Sequence, residues 1–110
     1  MKIAFFETER WQEDYLKKEL RKHHLRFFKG HLAHKHLSRI KDYEAICIFV
    51  YSHINENILC ELPNLKVVFT MSTGFDHIDT NACDLRKIVV CNAASYAENT
   101  VAEHTFALIL

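Results

Sequence analysis

Two glycines, Gly30 and Gly74, and a single proline, Pro63, are all that this 110-residue chain has for tight turns. Average globular composition, about 7% glycine, would give about eight. Phosphate-cradling loops and two-residue hairpins both draw on glycine's access to left-handed backbone. The shortage excludes a self-contained P-loop or Rossmann nucleotide site, and it excludes a hairpin-rich all-β fold. At 49% hydrophobic residues the chain is too apolar for a disordered tail, and its length suits one domain with a real core. Fourteen basic side chains balance fourteen acidic ones, which argues against a dedicated nucleic-acid or membrane binder.

Short apolar runs rich in β-branched and aromatic residues occur at 2–6, 25–29, 44–50, 65–70 and 87–91. They read as strands, several apolar on both faces as buried parallel strands are. Residues 9–22 set Trp11, Tyr15, Leu16 and Leu20 near helical spacing, with acids early and bases late, as the helix dipole favours. His23 and His24 then fall at that helix's end. Further helices are expected over 55–62, stopped by Pro63, over 77–85, and over 96–110, where Thr100 and Glu103 have capping-box spacing. Residues 31–43 read as an irregular loop with a turn of helix. Strands alternating with helices imply an α/β fold, here a three-layer, flavodoxin-like parallel sheet of five strands in the order 2-1-3-4-5, with helices on both faces.

Nothing in the sequence reads as a signal peptide or a membrane span. Cys47 and Cys91 sit in apolar runs, so Cys47, Cys60, Cys83 and Cys91 are expected to be reduced thiols of a cytoplasmic protein. The run Phe106–Leu110 is apolar with no polar last turn and no capping glycine, which suggests a piece of a longer protein whose remainder packs there.

His31, His34 and His36 form the densest histidine cluster. No Cys or carboxylate pattern completes a metal site, so a solvated loop is the simpler account. Glu103 and His104 point about 100° apart on a helix and do not make a dyad. A phosphoacceptor receiver would need Asp where Tyr51 and Ser52 follow the third strand. A flavodoxin would need a phosphate loop where Glu7, Thr8 and Glu9 follow the first. The loop after the fourth strand, Met71-Ser72-Thr73-Gly74-Phe75-Asp76-His77, remains. Its backbone N–H groups, beside the Ser72 and Thr73 hydroxyls, can hold a small anion such as a carboxylate. Equally, Gly74 can serve only to permit a positive φ.

The segments LPNLKVVFTMSTGFDHID (62–79) and KIVVCNAASYAENTVAEHTFALIL (87–110) resemble the amino-terminal part of the D-isomer-specific 2-hydroxyacid dehydrogenases. The paired motifs STGFDHID and NTVAEH, in this order and separation, are specific, and the resemblance covers residues 42–110 well. It implies a substrate-binding domain over 1–110, cut before an inserted Rossmann domain, with an interdomain helix over 97–110. It also implies that Thr73 and Gly74 offer N–H groups to a substrate carboxylate with Ser72 alongside. Tyr51, Ser52 and Tyr96 approach the substrate, and Val101 touches the nicotinamide cofactor. NAD, or NADP, would be bound mainly by the Rossmann domain, and the catalytic Arg, Glu and His would lie beyond residue 110. Ala94 and Ala97 depart from the Pro and Gly common in the family, which loosens the hold on Tyr96.

The resemblance thus implies part of an oxidoreductase that interconverts a D-2-hydroxy acid and a 2-oxo acid, inactive alone. The alternatives are a non-enzymatic module that self-associates through its last helix, and a metal binder using the histidine cluster. A homodimer formed by exchange of residues 97–110 is expected from the uncovered apolar run.

Overall fold

The computed structural model describes residues 1–93. The expected helix over 96–110, the capping box at Thr100 and Glu103, the Glu103–His104 pair and any exchange of residues 97–110 lie outside the described residues. The elements are β1 (Lys2–Phe6), α1 (Arg10–Glu19), β2 (His24–Phe28), α2 (His34–Leu37), β3 (Ala45–Ile48), α3 (Glu56–Cys60), β4 (Val67–Thr70), α4 (Thr80–Leu85) and β5 (Val89–Asn92). All strand pairs are parallel and the sheet order is β2-β1-β3-β4-β5, the flavodoxin-like order expected from the alternation of strands and helices. Ile3 lies opposite Leu25 and Ala45, Ala45 opposite Val67, and Val67 opposite Val89.

The period-two pleat sorts each strand's side chains between two cores. Ala4, Phe6, Ile46, Ile48 and Val68 pack with Leu37 of α2, Ile58 and Leu59 of α3, and Ala82 and Cys83 of α4. Ile3, Phe5, Ala45, Cys47 and Phe69 face the other way, toward Leu16 of α1 and Leu20 at its end. Helices therefore cover both faces, which is why the strands read as unbroken apolar runs. All four cysteines are free, and burial pushes the Cys47 thiol well above the ordinary thiol range.

Local departures from expectation have identifiable causes. α1 stops at Glu19, because β2 must start at His24 to lie opposite Lys2. His24 is thus a strand residue, edge-on to the Tyr43 ring, and not a helix end. His23 lies in the preceding turn, where its Nδ1 is buried without a partner among the described residues. Trp11 stays 45% exposed, its indole N–H donating to Glu9 Oε2 at 2.6 Å. α4 begins only at Thr80, where Asp79 Oδ1 accepts from the Ala82 N–H at 3.0 Å. The residues before it instead join the loop after β3: the Ile54 N–H donates to His77 O at 2.9 Å and the Asp79 N–H to Ile54 O at 2.8 Å.

Residues 31–43 contain the single turn α2, but they are not solvated throughout. Leu32, Leu37, Ile40 and Tyr43 are buried, and so is His36, at 6% exposure. Its Nδ1 accepts the Ala33 N–H at 3.0 Å while the ring packs against Phe6 and Phe28. Burial, with Lys35 and Arg39 adding repulsion, pulls the His36 pKa below the ordinary histidine value. The unfolded chain then takes up a proton first as pH falls below about 6.5, so stability falls with pH until the folded imidazole also titrates. Urea midpoints should drop between pH 7.5 and pH 5. His36→Asn, which keeps an acceptor for Ala33, should flatten that decline; an unchanged slope would assign it to other groups.

The glycine shortage has a structural counterpart. Gly30 takes φ +77° after β2, but Glu7 (φ 63°) and Lys87 (φ 59°) occupy left-handed backbone with full side chains. Such conformations cost an ordinary residue about 1–2 kcal/mol. Nine of the fourteen Lys and Arg lie between Lys17 and Lys41, where Glu19 is the one acid, and these cations flank the edge strand β2. The three ion pairs among the described residues, Lys2–Asp42, Lys66–Glu44 and Arg86–Glu56, use none of the nine. An edge so charged resists the addition of foreign strands.

Candidate functional site

Parallel strands end on a common edge, and the carboxyl edge is where open α/β sheets bind ligands. Here the loops after β1, β3 and β4 meet at that edge. Glu7, just beyond β1, ties the first two together. Its carboxylate accepts the Phe49 N–H at 2.9 Å, the Tyr51 N–H at 3.0 Å and the Ser52 hydroxyl at 2.5 Å. Ser52 is fully buried and accepts the Leu32 N–H at 2.9 Å, so its hydroxyl is used inside the protein and not presented to the edge. Tyr51, by contrast, is 71% exposed.

The loop after β4 is held by side chains acting on its carbonyls. Asn92 Nδ2, at the end of β5, donates to Thr73 O at 2.6 Å. Ser72 Oγ donates to Gly74 O at 2.6 Å, and lies 2.6 Å from Thr70 Oγ1, which in turn lies 2.9 Å from His77 Nε2. A trans peptide directs its N–H opposite to its C=O. Holding the Thr73 and Gly74 carbonyls therefore turns the N–H groups of Gly74 and Phe75 away from these partners, and neither N–H has an acceptor among the described residues. Successive free N–H groups of this kind suit an anion.

Gly74 does not have positive φ, so conformational need does not explain it. A Cβ built there would meet nothing within 4 Å, so the backbone stands open to approach. Ser72, Thr73 and Gly74 line a cleft of about 460 Å³ together with Val50, His53, Asp76 and His77. Burial lowers the His77 pKa, with His53 acting in the same direction and Glu7 and Asp76 opposing. Among the described residues no group of three or more His, Cys, Asp or Glu can hold a metal ion, so the histidine cluster offers no centre there. Tyr96 and Val101 lie outside the described residues.

Four contributors, Glu7, Thr70, His77 and Asn92, are not marked as site residues by the sequence, although His77 falls inside the STGFDHID motif. Thr70 and Asn92 do end apolar strands with a polar residue, the one hint that the sequence offers. Glu7 reaches across more than forty positions, which no local pattern reveals.

A parallel sheet of this order, with its loops pinned at the carboxyl edge, defines a flavodoxin-like α/β domain. The family profile of the D-isomer specific 2-hydroxyacid dehydrogenase catalytic domain matches residues 3–107, and the chain belongs to that family. It is similar to a glyoxylate reductase of Pyrococcus furiosus, 29% identical over 105 residues, which are 96% of this chain and 27% of that protein. Its fold is similar to the D-lactate dehydrogenase of Aquifex aeolicus in complex with NAD and lactic acid, with TM-score 0.79 and 31% identity over 97% of this chain and 32% of that one. The apo D-lactate dehydrogenase of Escherichia coli gives TM-score 0.78 and 28% identity over 99% of this chain and 36% of its own. The chain thus spans roughly a third of these relatives' length. Of the two glycines, Gly30 lies in the turn after β2 at the sheet's edge and Gly74 belongs to the carbonyl-pinned loop.

Proposed function

We propose that this chain is the substrate-carboxylate-binding part of an NAD(P)-dependent D-2-hydroxyacid dehydrogenase, which interconverts a D-2-hydroxy acid and a 2-oxo acid. The observation that carries this reading is the pair of N–H groups at Gly74 and Phe75 that have no acceptor among the described residues, beside a glycine whose Cβ position is open. The nicotinamide cofactor would supply the hydride from a domain that the described residues do not include. Arg, Glu and His residues elsewhere in the enzyme would pair with the carboxylate and protonate the developing alkoxide. On the substrate side Ser72, Thr73 and Gly74 are joined by Tyr51, and by Tyr96 from the segment that follows, while Val101 of that segment would touch the nicotinamide cofactor. Ser52 holds the loop on which Tyr51 stands.

Titrating the isotope-labelled chain with pyruvate or glyoxylate should move the Gly74 and Phe75 amide signals most. Gly74→Val, which places a side chain in the open approach, should weaken binding about tenfold, equivalent to about 1.4 kcal/mol. Uniform or absent perturbation removes the carboxylate site. Mixed with NADH and 2-oxo acids, the chain alone should oxidise no cofactor.

A cytoplasmic setting fits the four free thiols, and no helix among the described residues is long and apolar enough to cross a membrane. A homodimer, formed by exchange of residues 97–110, completes the proposal; a monomer at all concentrations in sedimentation would remove that part.

A further inference from the structure

The hydrogen bonds under the Gly74 loop admit only one placement of their protons. The Gly74 carbonyl can only accept, so the single Ser72 hydroxyl proton lies on that bond. The 2.6 Å contact between Ser72 and Thr70 then needs the Thr70 proton, since two lone pairs at that distance repel. Thr70 is fully buried and has no second proton, so toward His77 it must accept. His77 therefore carries its proton on Nε2.

We propose that His77 is the positioning residue of the carboxylate-binding loop. A one-way chain runs from Nε2–H to Thr70 Oγ1, from the Thr70 hydroxyl to Ser72 Oγ, and from the Ser72 hydroxyl to the Gly74 carbonyl. That chain fixes the Gly74–Phe75 peptide with its N–H outward. Each bond polarises the next in the same direction, which strengthens the set. Were the proton on Nδ1, Thr70 would have to turn its own proton to Nε2. Ser72 would then have to turn its own proton to Thr70 to keep the 2.6 Å contact, the Gly74 carbonyl would lose its donor, and the peptide would be released to rotate. Glu7 from the end of β1, His53 from the loop after β3 and Asp76 from the same loop are the charged or titratable groups that act on the imidazole. Its lowered pKa keeps the ring neutral near pH 7, so the tautomer is what decides the state of the chain. The carbonyl held by Asn92 is the neighbouring peptide's, so the two supports are separable.

The idea rests on the proposed carboxylate site for its purpose, but its geometry is testable without ligand. Nitrogen-15 spectra of the full chain at pH 7.5 should show His77 protonated on Nε2; protonation on Nδ1 overturns the proposal. His77→Gln, whose amide nitrogen reaches the Nε2 position, should leave the Gly74 and Phe75 amide signals close to wild type. His77→Leu and the isosteric Thr70→Val should both displace them and weaken pyruvate binding about tenfold. If both variants fold and neither moves those signals, the chain does not position the loop. If wild type shows the Nε2–H tautomer and the variants shift the loop, while pyruvate binds to none of them, the relay stands and the carboxylate site fails. Should the variants not fold, the tautomer in the unaltered chain still decides.

Discussion

Glu7→Ala will destabilise the chain by about 2–3 kcal/mol, although the side chain lies at the rim of the sheet. The amides of Phe49 and Tyr51 are at exposed positions and regain water when the carboxylate is removed. The Ser52 hydroxyl cannot, because it is fully buried between Glu7 and the Leu32 N–H. Most of the loss is therefore the unsatisfied hydroxyl and the loosened loop. Glu7→Gly deletes the same carboxylate but relieves the left-handed backbone, so it should be less damaging than Ala by about 1 kcal/mol. Glu7→Gln, which keeps one acceptor oxygen, should be the mildest of the three. Urea unfolding gives the ranking directly. An alanine variant within about 0.5 kcal/mol of wild type would show that the clamp contributes nothing.

Phe6→Ala is expected to be the more damaging change, at about 3–5 kcal/mol. Phe6 is fully buried, stacks on Phe28 of the neighbouring strand with centroids 4.9 Å apart, and meets the His36 ring edge-on at 5.3 Å. Removing it opens a cavity and also uncovers the imidazole, whose neutral state depends on burial. The alanine variant should therefore show a weaker acid sensitivity along with lower stability. Since small domains hold only about 5–15 kcal/mol, Phe6→Leu serves as the variant that stays folded. A loss below about 1 kcal/mol for Phe6→Ala would mean that the site collapses without a cavity.

The strands were legible because burial on both faces writes a run of apolar residues into the chain, and KIAFF and AICI carry that mark without ambiguity. The helices that separate them fixed the sheet as parallel. The loop at Ser72–Gly74 was legible for a different reason: glycine is so rare here that its position after a central strand stood out. What its backbone does was not legible, since a positive φ and an open approach leave the same letter in the sequence. Long-range polar contacts were invisible altogether. Glu7 acts on residues more than forty positions away, and a carboxylate after a strand looks the same whether it is solvated or bound. His36 shows the limit of composition: directly after His34 and Lys35 it reads as solvent-facing, yet one turn of helix rotates it inward.

The sheet's register also sets a kinetic order. Leu25 lies opposite Ile3, Val67 opposite Ala45, and Val89 opposite Val67, each 22 positions on (25 − 3, 67 − 45, 89 − 67). Only the closure of β1 on β3 is longer, 42 positions from Ile3 to Ala45. That near-doubling adds only about 0.6 kcal/mol of loop-closure entropy, so distance is no obstacle to the step. Its timing is another matter. On a ribosome, β1 emerges first and β2 next, and β1 keeps its other edge unpaired until β3 has appeared. Through that interval the nascent chain exposes one edge of a strand that will lie inside the sheet, with Phe5 and Phe6 on it, and β3 is the segment whose arrival ends the exposure.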